Sequence, residues 1–477
     1  MSPRSHVWGL GLAALAAVLC SCRPEVIREP RPPAEEASAA LRYKVTYVRE
    51  PEQALDVEVV RSNEAPRDFL FTQAGGVRTV QAYSDTGEVR VLQVEEGGVL
   101  VPSDTRSLRY RYSLNARTGR RWWDLYGGMT AEGALLIAGK SWLIRPRFAE
   151  TRHQVELSVQ GADVLLPWQP GPDGLYRLRT EDLVDSGFHA FGGRRYQVQL
   201  PDAVLDVAIL APMTHMEDAR VCEWVRQRAE EVRQIRRTFP YPRVSVIVYP
   251  VPRRNDADLF GMVMWSSPPS VALLVGQDTP PDALTRDWMA LHELLHLIHP
   301  AILPRTPWVS EGLATYFTEV ARTRSGRQSP ERLWRELLYG FNMGREQADG
   351  RTMQEMIDED APPGIYWVGA FFSLRLDVAL RRATENQRGL TDVLELLAMQ
   401  GSTATVESYG AAVDAVAGRP LFEALLAEDL RRPAFAALEG LLEDLGVMNT
   451  PGGVKLQPAR DSQLREALDG KTPARSQ

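Results

Sequence analysis

The stretch His292-Glu293-Leu294-Leu295-His296-Leu297-Ile298-His299 holds three of the seven histidines in the chain. Apolar residues fill the gaps between them, and Trp288 to His299 reads as one helix stopped by Pro300. At 3.6 residues per turn, His292 and His296 lie one above the other on a single face, near enough to hold one metal ion, while Glu293 points to the adjacent flank. Neutral imidazole suits zinc. A carboxylate beside the metal can take a proton from water and deliver it to a leaving amine.

A catalytic zinc needs a third protein donor from a different element, with the fourth position left open. Downstream, Trp308-Val309-Ser310-Glu311-Gly312-Leu313-Ala314-Thr315-Tyr316 supplies one. Ser310 reads as a helix N-cap, which puts Glu311 in the first turn. Thr315 then lies one turn later on the same face, where its hydroxyl can bond the ligating carboxylate. His299 would compete poorly with Glu311 as a ligand and is expected behind the metal or at the surface. Asp287 is given no role.

HELLH, followed after fourteen intervening residues by the glutamate of WVSEGLATY, resembles the gluzincin metallopeptidases. Their aminopeptidase N-like and glycyl aminopeptidase-like members place a ligating glutamate in a W-x-x-E-G-x-A/T-x-Y segment. IYWVGA (365–370), LRLDVALRRAT, LTDVLELL and AAVDAVAGRPLFEALL are similar to the helical region after that glutamate in the glycyl aminopeptidase-like family. TEDLVDSG and FPYPRVSVIVYP are similar to its approach to the site. The likeness covers about residues 41–450.

The resemblance implies a multidomain α+β chain: an N-terminal β-sandwich-like domain, then a thermolysin-like catalytic domain with a helical C-terminal part. It also implies Zn2+ held by His292, His296 and Glu311, with Glu293 as general base and a peptide or protein as substrate. Tyr366 matches the tyrosine whose phenol stabilises the tetrahedral oxyanion, although a core aromatic on a helix is its other reading. Two departures stand out. The spacing to the third ligand is shorter than in aminopeptidase N. The stretch Phe260 to Trp265 has no acidic residue where the aminopeptidases carry a glutamate for the substrate's amino terminus, so cleavage within a chain stands open.

Upstream, residues 41–211 show short alternating runs such as YKVTYV, ALDVEVV, VRTVQAY, LRYRYSL and HQVELSV, punctuated by Gly, Pro, Asn and Asp. They predict the β-rich domain. His153, His189 and the Trp122-Trp123 pair are scattered through it as packing or surface residues. Helical spacing begins after Met213 and alternates with buried-strand runs VSVIVYP and SVALLVG, so 212–345 reads as the catalytic domain. Residues 346–450 read as helical, and 451–477 as a polar, frayed tail. Cys222 sits on an apolar helix face as a small packing residue.

At the amino end, Arg4 precedes an apolar stretch from Val7 to Leu19 and then Leu19-Cys20-Ser21-Cys22. Residues 1–21 read as a signal peptide, too short in its apolar part to span a bilayer. The Leu-x-Ser-Cys end resembles the bacterial lipobox, which implies lipidation of Cys22 and leaves 22–40 as a solvated tether. The expected place is the bacterial cell envelope, anchored by lipid and, from Arg23, at the outer membrane on its periplasmic or surface side. An acylated Cys22 cannot pair with Cys222, so no disulfide is expected.

Composition narrows the classes. Across 477 residues, 44% are hydrophobic and 25% charged, an ordinary globular balance. Lys and Arg number 55 against 62 Asp and Glu, a net charge of −7, which argues against nucleic acid as a partner. The sequence sets no oligomeric state. Beside the peptidase, one rival stands: a noncatalytic envelope lipoprotein that keeps the fold for binding or assembly.

Overall fold

Strand β1 (Leu41–Val48) alternates buried and exposed along its length, with Leu41, Tyr43, Val45 and Tyr47 inward and Arg42, Lys44 and Thr46 outward. That period of two marks a sheet with one face on a core and one in water. The computed structural model describes residues 39–72, 77, 79–114, 127–148, 153–360 and 362–470. The signal peptide, Cys22, most of the tether and Trp122-Trp123 lie outside the described residues.

Six further strands join β1: β2 (Ala54–Arg61), β3 (Thr79–Ser84), β4 (Val89–Gln93), β5 (Thr105–Ser113), β6 (Gln154–Gln160) and β7 (Tyr176–Arg179). Their order is β7-β6-β1-β2-β5-β3-β4, antiparallel except where β1 runs parallel to β6. The outer face is laced by cross-strand ion pairs, Arg111 to Asp56 at 2.6 Å and Arg109 to Glu58 at 2.7 Å. The inner face packs on two small sheets, one of three strands and one of four, so the sandwich-like expectation holds with a split second layer.

The strand Leu135–Ala138, in the four-stranded sheet, is buried on both faces. Leu135 and Ile137 enter the N-terminal core, while Leu136 and Ala138 join a second core against the next sheet. That sheet is β8 (Arg194–Gln199), β9 (Val204–Ile209), β10 (Arg243–Val251), β11 (Phe260–Met264) and β12 (Ser270–Gly276), in the order β8-β9-β10-β12-β11. Its centre is parallel and its edges, β8 and β11, are antiparallel. The boundary expected at 211 is therefore too late. β8 reads in sequence like the polar–apolar runs before it and β9 is a nearly continuous buried run, but pairing assigns both to this second sheet.

Helix α1 (Asp218–Val232) and the short helix α2 (Met289–Leu295) cover this sheet, and α3 (Pro307–Arg324), α4 (Pro330–Ala348) and α5 (Gly364–Ala383) join them in one large apolar core. Cys222 is a free thiol, half-buried against that core. Helices α3 and α5 cross at Gly312 and Gly369. A methyl group on either glycine would run into backbone of the other helix. The chain goes on as short helices to Leu445. The tail expected to fray is instead folded through residue 470, as a hairpin (Val447–Thr450 with Gly453–Leu456) and a helix (Ser462–Leu468). Leu464 and Leu468 are buried, and Trp334 Nε1 donates to Asp469 Oδ1 at 3.3 Å. No helix among the described residues is long and apolar enough to cross a membrane.

Candidate metal centre

Two carboxylates fix the start of α2. Asp287 Oδ1 accepts from Ala290 N at 2.8 Å, and Asp258 Oδ1 accepts from Trp288 N at 2.9 Å and Met289 N at 2.8 Å. These amides are among the donors a helix N-terminus leaves unpaired. Asp287, given no role from sequence, is fully buried. Burial and neighbouring Asp258 push its carboxyl up to about 7, against Arg228. Its second oxygen takes the Trp224 indole N–H at 2.8 Å.

From this anchored turn α2 carries His292 to its last turn, and His296 begins a tight 3-10 turn through Ile298. The helix is thus shorter than the expected run to His299, which is already extended. The two rings lie 4.9 Å apart and nearly perpendicular. Glu311 Oε2 sits 3.2 Å from His292 Nε2 and 3.3 Å from His296 Nε2. The three donor atoms all fall within 4.8 Å of one another. Two ligands about 2.0 Å from a tetrahedral zinc are separated by roughly 3.3 Å, so the donor set fits that ion in type and spacing.

The electrostatics divide the two glutamates. Burial alone would raise the Glu311 carboxyl, but the two imidazoles hold it well below the usual carboxylate range. Glu293, with burial dominant and Glu311 adding to it, is pushed up to about 8. Burial lowers His292. For His296 burial is outweighed by Glu311, with Glu293 adding, and its value is raised. Glu293 lies against Gly261 of the edge strand β11, where any side chain would occupy the space of its carboxyl group. Sequence reasoning misses Gly261, whose signal is a glycine inside a strand pattern.

No family model matches the chain, and no curated protein matches its sequence. Among solved structures, an aminopeptidase N family protein from Idiomarina loihiensis superposes with a TM-score of 0.65 at 16% identity, over 86% of this chain and 78% of that one. Native yeast LTA4 hydrolase gives 0.51 at 11% identity, over 85% and 70%. The chain shares their fold.

Within that fold, Tyr366 stands near the start of α5, half-buried, its ring nearly parallel to His292 at 6.5 Å between centroids. Burial, then Glu311 and Glu293, raise its phenol, so the hydroxyl keeps its proton. Trp288 stacks on His292 at 4.4 Å, and its Nε1 donates to Glu319 Oε1 at 2.9 Å.

Two local expectations need correction. Helix α3 begins at Pro307 with Thr306 as its cap, so Ser310 is not an N-cap and Glu311 lies beyond the first turn. Proline at the first helical position explains the earlier start, since its missing N–H costs nothing there. Thr315 is buried, but its hydroxyl has no hydrogen-bond partner and does not bond Glu311. Of the two places expected for His299, behind the metal or at the surface, its burial excludes the second.

Proposed function

We propose that this chain is a zinc-dependent metallopeptidase that hydrolyses peptide bonds, with His292, His296 and Glu311 as the ligands. The observation that carries the reading is the convergence of those three donors, with the Glu311 oxygen at tetrahedral spacing from each imidazole nitrogen. When bound, zinc supplies Lewis-acid polarisation of a carbonyl and makes a water easier to deprotonate. Glu293 takes the proton of the attacking water and returns it to the leaving nitrogen. Its burial keeps that carboxyl from being levelled by bulk solvent. Tyr366 donates its phenolic proton in a hydrogen bond to the carbonyl oxygen as charge develops there.

Cleavage within a chain is the favoured specificity. Strand β11 is the outer strand of its sheet, so an extended peptide can add to its free edge next to Glu293. The residues of β11, Phe260 to Met264, offer no carboxylate for a substrate ammonium group, and Asp258 just before it is taken up by the amides of α2. We also propose that a lipid on Cys22 anchors the protein in the bacterial envelope, on the strength of the Leu-x-Ser-Cys run.

Metal analysis of the purified protein with a digest of blocked and unblocked peptides tests the reading. About one zinc per chain and internal cuts in amino-blocked peptides are expected. A metal-free, inert protein leaves the noncatalytic binding lipoprotein. Loss of membrane fractionation in Cys22→Ala tests the anchor.

A further inference from the structure

His296 is linked to a second histidine through one hydroxyl. Ser310 Oγ lies 3.2 Å from His296 Nδ1 and 3.3 Å from His299 Nε2, and His299 Nδ1 lies 2.7 Å from Pro300 O. A carbonyl oxygen only accepts, so His299 Nδ1 carries the proton of that last contact. The neutral ring then presents a lone pair at Nε2, which accepts from the Ser310 hydroxyl. Ser310 Oγ is left to accept, and the group facing it is His296 Nδ1–H. The reverse direction needs protons on both nitrogens of His299, a cation buried at 1% exposure with no carboxylate among its hydrogen-bond partners in the described residues.

We propose that His299 and Ser310 are positioning residues that keep a proton on His296 Nδ1, so that Nε2 is the nitrogen turned to Glu311 and given up to an incoming cation. The inference rests on the metal-site reading above and adds to it the device that fixes one ligand. Such partners behind a ligating imidazole orient the ring and raise its basicity. The relay exists because α3 starts at Pro307: a capping Ser310 would have turned its hydroxyl to backbone amides, whereas here Thr306 is the cap. His299 reaches it because the chain leaves the 3-10 turn in an extended conformation at that residue, and the ring is held against Trp265 at 5.3 Å.

His292 is held by other means. Its Nδ1 has no partner, and its ring is fixed by the stack on Trp288. The relay therefore acts on one ligand of the two.

The test uses the full chain stripped of metal, with two readouts that do not depend on turnover. Long-range proton–nitrogen spectra report the tautomer of each histidine, and competition with a chromophoric chelator gives zinc affinity. His296 Nδ1 is expected to carry a proton in the parent protein, with Nε2 either protonated toward Glu311 or free for the metal. Ser310→Ala should weaken zinc binding by about 10- to 100-fold while the thermal midpoint of the metal-free protein stays put, and Ser310→Thr, which restores a hydroxyl, should recover most of it. His299→Phe should match Ser310→Ala. A parent His296 found as the Nε2–H tautomer, or a Ser310→Ala protein that binds zinc like the parent, overturns the relay. If the parent binds no zinc, the metallopeptidase reading falls, and the tautomer spectrum still decides the relay on its own.

Discussion

Glu293 is buried and Glu311 half-buried, both beside the His296 ring, yet their surroundings drive them apart: the imidazoles hold Glu311 ionised, while burial raises Glu293 to about 8. A permanent anion suits a ligand, and a group that can hold or release a proton suits transfer. Glu293→Gln keeps the shape against Gly261 and removes the base, so turnover should fall by about 10²–10⁴-fold with zinc content unchanged. Metal analysis beside kcat on an internally cleaved peptide checks it, and an unchanged kcat removes Glu293 from its role. Tyr366→Phe loses only the phenolic hydrogen bond. A fall in kcat of about 10²-fold with little change in KM is expected, and an equal rise in KM alone would place the phenol in ground-state binding. The spacing of HELLH and the glutamate of WVSEG are enough to single out three donors that the structure brings together, because helix periodicity is a local property. What orients them is not legible. Ser310 has the local look of a cap without being one, and His299 and Trp288 reach the site through a 3-10 turn that ends in extended chain and through a stack, neither of which a local pattern encodes.

Elements hold these residues in register, and the crossing of α3 and α5 is the clearest case. Gly312 comes directly after Glu311, Gly369 lies one turn after Tyr366, and their backbones touch. Gly369→Ala must push the helices apart. It should cost about 1–3 kcal/mol of unfolding free energy and lower kcat by separating the phenol from the ligand cluster. Equilibrium unfolding in urea with kcat at a permissive temperature reads both, and a variant as stable and active as the parent would show that the crossing does not set the site. The four-stranded sheet gives a second element-scale test through His189 in its strand Phe188–Phe191. The ring is fully buried between Trp142 and Trp168, with one nitrogen on Ser186 O at 2.8 Å. Burial lowers it from 6.5 to about 4. Between these values the unfolded chain binds a proton that the folded protein does not, so stability falls as pH drops from about 6.5 to 4, by about 3 kcal/mol in all. His189→Gln should remove that slope between pH 7 and 4.5, and a slope identical to the parent's would exclude His189 as its source. Alternation along single strands makes the β-rich class readable. It cannot say which sheet a strand joins, so β8 follows the N-terminal runs in sequence while its hydrogen bonds belong to the second sheet.

At the scale of the molecule, composition places the end of the fold at residue 450, because residues 451–477 are polar and rich in turn formers. The segment contributes few apolar residues, but the ones it has are placed. Leu464 and Leu468 enter the large core beside α3 and α4. Arg324 at the end of α3 donates to Leu468 O at 3.1 Å, and Asp469 accepts from the Trp334 indole. Composition averages over such a segment, whereas two leucines on one face of a short helix suffice to dock it. Removing residues 453–477 strips that cover from the far end of α3, whose near end carries Glu311. Two buried leucines at about 1.5–3 kcal/mol each put the expected loss of unfolding free energy at about 3–6 kcal/mol. The truncated chain should therefore unfold at markedly lower urea while still taking up zinc in the cold, since Glu311 lies toward the opposite end of α3 and His292 and His296 belong to other elements. Saturating zinc should then recover part of the loss in the truncated chain, in proportion to its affinity for the folded form. If truncation leaves the urea midpoint where it was, the segment is an ornament on a core complete without it.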